Sequence, residues 1–132
     1  MSISRLATLA VAGLLAAAPL PAQAQQVHRL TCQGHFQGAQ AMIIGMRQFT
    51  PTSAMGDGYV RFQGEIGVGN IRGGMAYEGY TATGSFAGQI TAPQGTIRIG
   101  VLDNTGGRMI IYGGAASLGP PTTLGEFGCH WQ

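Results

Sequence analysis

The chain has 132 residues, of which 45% are apolar, 9% are charged and 23 are glycine. This length fits one domain and leaves no room for a second. Every basic side chain is Arg and the formal net charge is only +2. That excludes a Schiff-base lysine, and no basic stripe accompanies the aromatics, so nucleic acid is not an expected partner.

Residues 1–24 read as a cleaved secretory signal peptide. Arg5 gives a positive start, Leu6 to Ala18 is apolar apart from Thr8 and Gly13, and Pro19 and Pro21 break the helix. Ala22-Gln23-Ala24 then supplies the small-x-small cleavage pattern. The apolar stretch falls short of the roughly 20 residues a spanning helix needs, and no second long apolar run follows. The expected mature chain is therefore 25–132, a single domain without a membrane span after signal cleavage. The style of the signal is bacterial, which implies a periplasmic or secreted protein.

Beyond residue 25 the dominant pattern is period two, the signature of strands. Eight strands are expected, near 26–34, 40–48, 58–68, 74–83, 84–91, 95–102, 107–113 and 124–131. In the first, Leu30 and Cys32 oppose Arg29, Thr31 and Gln33. In the third, Val60, Phe62, Ile66 and Val68 oppose Arg61, Gln63 and Glu65. In the fourth and fifth, Tyr80, Ala82, Phe86 and Ile90 oppose Thr81, Thr83, Ser85 and Gln89. The phase set by Met75 and Tyr77 switches at Tyr80. An alternative joins the fourth and fifth segments into one long bent strand, with a bulge at Gly79 or Gly84. Ile97, Ile99 and Val101, and later Phe127, Cys129 and Trp131, continue the apolar faces.

Turn signals fall at Gly56-Asp57-Gly58, Gly69-Asn70, Gly73-Gly74, Pro93-Gln94-Gly95 and Asp103 to Gly107. The segments Arg47 to Asp57 and Gly113 to Leu124 read as longer loops. The second carries Leu118, Pro120 and Pro121 and is a candidate contact loop. Gly64, Gly84, Gly88 and Gly100 are expected inside strands, where a small barrel needs bends to close. Phe36-Gln37-Gly38, Phe62-Gln63-Gly64 and Phe86-Ala87-Gly88 form a faint repeat that would mark such bends. The fold class is all-β: a small antiparallel closed barrel, or alternatively a β-sandwich, of about eight short strands. An outer-membrane barrel fits less well, because most strands read as short and the apolar faces carry both cysteines.

Cys32 and Cys129 are the two cysteines. An even count in an exported chain favours a disulfide, here joining the first and last strands. Such a bond requires those strands to be neighbours. A Cys2His2 zinc site using His35 and His130 competes, but Cys129 and His130 are adjacent in a strand and point to opposite faces.

The remaining chemistry is sparse. If Val68 pairs with Met75, Glu65 and Glu78 face each other as a carboxylate pair that could work as acid and base. His28, His35 and His130 lie near the chain ends and could cluster as an acid/base or metal site. Gly67 to Gly74 holds Arg72 where the dinucleotide pattern needs Gly, so it reads as a hairpin turn. Met42 and Met46 share a strand face, which raises copper as well as plain packing. There is no Gly-x-Ser-x-Gly elbow. No cofactor or bound metal is expected. The function that fits best is a non-enzymatic binding module for a protein or a small apolar ligand. The alternatives are an envelope-associated structural protein and a small hydrolase using Glu65 or His130.

Overall fold

The computed structural model describes residues 25–104, 107–113 and 122–132. Eight antiparallel strands form a closed barrel: β1 (Gln26–Phe36), β2 (Ala39–Pro51), β3 (Gly58–Val68), β4 (Ile71–Tyr80), β5 (Phe86–Ala92), β6 (Gly95–Asn104), β7 (Arg108–Gly113) and β8 (Thr122–Trp131). Each strand pairs with its sequence neighbours, and β1 also pairs with β8. Every backbone edge is therefore used within the fold. The expected export signal, 1–24, lies outside the described residues.

Alternation decides which side chains enter the barrel. Leu30, Cys32 and Phe36 on β1, Ala41 and Ile43 on β2, and Val60, Phe62 and Ile66 on β3 are all buried. Met75, Tyr77, Phe86, Ile90, Ile99, Val101, Met109, Ile111 and Phe127 complete the core. Each burial removes an aliphatic or aromatic side chain from water, worth about 1.5–3 kcal/mol for a fully buried one.

Cys32 and Cys129 are directly opposite across the β1–β8 seam, their Cα atoms 4.0 Å apart, and they form the disulfide. Cys32 is fully buried and Cys129 packs against the core, as the shared apolar phase implied. The bond thus lies on the inner face of the seam that closes the barrel. A disulfide is formed and kept in an oxidising, extracytoplasmic environment.

Two inward glycines show how so small a ring closes. Gly45 on β2 pairs with Gly64 on β3. A Cβ on Gly64 would collide with the Ile44 carbonyl oxygen and come within 2.6 Å of the Gly45 Cα. The side chain that fills this space is Phe62, whose ring tip lies beside both glycines. Of the three Phe-x-Gly copies, the second and third place Gly on the inward phase, whereas Gly38 lies in the β1–β2 turn with φ 80°.

Several boundaries differ from the sequence expectation. β4 and β5 are separate strands joined by a 3₁₀ turn, Thr81–Thr83, and by Gly84 at φ 73°. The change of phase at Tyr80 marks a chain reversal, not a bulge, and Tyr80 and Ala82 are exposed. Gly73 and Gly74 lie within β4, because the β3–β4 reversal is completed at Gly69-Asn70. β2 continues to Pro51, leaving 52–57 as the loop. Six strands have 10 to 13 residues, so strand length gives no argument against membrane spanning. The outward face itself gives one: Arg61, Glu65, Arg72 and Glu78 are exposed there, where a lipid-facing band would be apolar.

Candidate functional site

The meander gives the barrel two unlike ends. At one, β1 begins and β8 finishes. At the other lie the β1–β2, β3–β4 and β5–β6 turns and the flanks of the β7–β8 connection.

The first end is sealed by polar side chains. Arg47 follows Ala41, Ile43 and Gly45 on the inward phase of β2, and Asp103 follows Ile99 and Val101 on β6. The Arg47 Nε donates to Asp103 Oδ2 at 2.8 Å, with the two side chains 2% and 3% exposed. The Tyr77 hydroxyl on β4 donates to the same oxygen at 2.7 Å. The Arg47 guanidinium lies 4.5 Å from the centre of the Trp131 ring, and His28 lies beside that ring at 5.3 Å.

These residues come from β2, β4, β6 and β8, so the contacts cross the lumen between opposite walls. Burial pushes the Tyr77 hydroxyl pKa far above its ordinary value, and the charge and hydrogen bond of Asp103 push it further up. A neutral Tyr and a cationic Arg thus share one carboxylate. Among the described residues no buried side-chain nitrogen or oxygen lacks a hydrogen-bond partner. With Arg47 and Asp103 almost fully buried, the cluster braces the lumen between the strands it joins.

Among the described residues the second end is apolar and open. Phe36, Ile66, Val68, Ile90 and Ala92 line a cleft of about 400 Å³. Ile71 and Ile97 stand at its lip on the inward phase of β4 and β6, yet they are 51% and 43% exposed. They belong to the core by alternation, but among the described residues no further layer covers them. Gln37, Gln94 and Thr96 give the cleft a polar rim. β7 ends and β8 begins at this end. The candidate contact residues Leu118, Pro120 and Pro121 lie in the connection between them, outside the described residues.

The other expected site residues stay apart. Val68 pairs with Ile71, not Met75, so Glu65 stands opposite Gly74 and Glu78 opposite Arg61. The two carboxylates are four residues out of register, about 13 Å along the strands. Glu78 instead meets Arg61 in an exposed ion pair at 3.4 Å. His35 and His130 are exposed on the outer faces of β1 and β8, opposite Glu126 and Thr31 respectively, and His28 is at the sealed end. The described residues include no group of three or more His, Cys, Asp or Glu able to hold a metal ion.

Sequence reasoning missed Arg47 and Asp103, taking the first as the start of a loop and the second as part of a turn. The signal was available in principle: each is a charged side chain at an inward position of an apolar strand. No family model, curated protein or solved structure matches this chain in comparison with known proteins.

Proposed function

We propose that this protein is an exported, non-enzymatic binding barrel that takes an apolar group into its open end. One observation carries the reading: Ile71 and Ile97, inward by phase, are about half exposed around a 400 Å³ cleft. Apolar surface left in water is a free-energy cost that a bound apolar group removes, at about 25 cal/mol per Å². The volume falls within the range of ordinary ligand sites, and an apolar floor with a polar rim suits a ligand or a partner's side chains.

Export to the periplasm or outside the cell is supported by the pattern of residues 1–24 and by the disulfide. The scattering of Glu65, Glu78, His35 and His130 favours binding over hydrolysis. The pairing of every strand on both sides disfavours an assembly built through sheet edges.

The test is amide and methyl NMR of the mature protein, titrated with a fluorescent apolar probe and with envelope extract. Shifts should centre on Phe36, Val68, Ile71 and Ile97 and should be lost in the Ile71→Ser/Ile97→Ser double variant. Native mass spectrometry separates the two sources, showing either a small ligand or a bound protein. Shifts that map elsewhere, or that survive the double variant, would overturn the reading.

A further inference from the structure

The outer face of β2 differs from the rest of the barrel's surface. Met42, Ile44 and Met46 point outward in succession and are 42%, 46% and 45% exposed. Their partners across β1 are Gln33, Thr31 and Arg29, and across β3 they are Gly67, Glu65 and Gln63. An apolar stripe thus runs between two polar strands. Beside Met42 lies a groove of about 490 Å³ bounded by Gln33, Glu65 and Arg72, so small solutes reach its sulfur. Met42 and Met46 are four residues apart along one strand, about 13 Å, and cannot ligate a single ion. The copper reading of this pair therefore lapses.

We propose that Met42 and Met46 form a methionine-oxidation site, at which a peroxide converts the apolar stripe to a polar one while the barrel stays closed. Each thioether sulfur attacks one peroxide oxygen. The S–O bond forms as the O–O bond breaks, sulfur gives up two electrons, and the departing hydroxide (or alkoxide, from an organic hydroperoxide) takes the proton from the sulfur-bound oxygen to leave as water (or the alcohol). Sulfoxide is polar and reducible by methionine sulfoxide reductases, so the change is reversible. Two features make the stripe suited to it. The disulfide ties the chain to an oxidising environment. The core thioethers Met75 and Met109, at 2% and 0% exposure, are shielded, so oxidation is confined to the surface. The site lies on the barrel wall and does not depend on the open end.

The experiment uses the mature protein carrying Met55→Leu, because Met55 is 91% exposed in the 52–57 loop and would react without reporting on the stripe. Hydrogen peroxide is added, and peptide mass spectrometry follows each methionine. Met42 and Met46 should gain one oxygen each, roughly tenfold faster than Met75 and Met109. Retention on a hydrophobic-interaction column should fall while circular dichroism stays unchanged. The further variant Met42→Leu/Met46→Leu keeps the stripe apolar without an oxidisable sulfur, and its retention should not respond to peroxide. The proposal is overturned if the stripe methionines react no faster than the buried pair, if their oxidation unfolds the barrel, or if the Leu variant loses retention equally.

Discussion

The two ends of the barrel are built on the same alternation and finish in opposite ways. At one, the inward side chains Arg47, Tyr77, Asp103 and Trp131 are joined by hydrogen bonds and a cation–π contact. At the other, Ile71 and Ile97 are inward by phase yet about half exposed, with no further layer over them among the described residues. A charged layer inside a barrel satisfies itself and has no surface to offer. An apolar layer makes no such polar contacts, and its exposed side chains carry a free-energy cost in water. The difference places the buried polar contacts at one end and the exposed apolar side chains at the other, where the proposed binding is tested.

The largest expected effect concerns the seam, which serves both ends. Replacing Cys32 and Cys129 by Ala frees a loop of 97 residues, for which chain entropy predicts a loss of about 4–5 kcal/mol. Urea unfolding measures it. Hydrogen exchange should show both ends losing protection together; loss confined to one end would mean that the seam does not couple them.

Next is the brace. Asp103→Ala leaves Arg47 buried without its carboxylate and should cost about 3–5 kcal/mol. The double variant Arg47→Met/Asp103→Leu should recover most of that loss, since it removes both charges. If the single and double variants unfold at the same urea concentration, the pair does not work as a unit.

Tyr77→Phe removes one hydrogen bond to a charged acceptor, worth about 1.5–3 kcal/mol at neutral pH. Its sharper consequence is at alkaline pH. Because the folded Tyr77 holds its proton above the ordinary value of 10.0, the stabilisation is complete below about pH 10. Above that, the unfolded chain releases the proton first and stability falls by about 1.4 kcal/mol per pH unit. The Phe variant should lack this component, a difference visible in unfolding midpoints measured between neutral and alkaline pH.

The smallest stability effect belongs to the open end. Ile71→Ser and Ile97→Ser together should cost only about 1 kcal/mol, because both side chains are already half in water. A loss as large as that of Asp103→Ala would show the lip to be core, and the contrast between the ends would collapse.

Much of this fold was legible in the sequence. Strand positions, the inward faces of β1 and β3, the closed barrel and the Cys32–Cys129 bridge all follow from alternation, turn residues and cysteine placement. The Glu65–Glu78 pairing was not legible, for a definite reason. The expected register differs from the observed one by four residues. A slip by an even number leaves every side chain on its own face, so hydrophobic patterning cannot detect it. The tight reversal at Gly69-Asn70 decides the matter. Arg47 and Asp103 were hidden because a charged residue at the edge of an apolar run reads locally as the end of a strand. Only partners on opposite walls of the barrel make burial of that charge affordable.

The sequence by itself determined the period, the faces and the cross-link, because each is a property of neighbouring residues or of two cysteines in an oxidising compartment. Tertiary structure alone decided the registers, the polar brace and the exposure of Ile71 and Ile97 at the other end. All three depend on which strands meet around the ring. That is set by closure of the whole barrel, and no short segment encodes it.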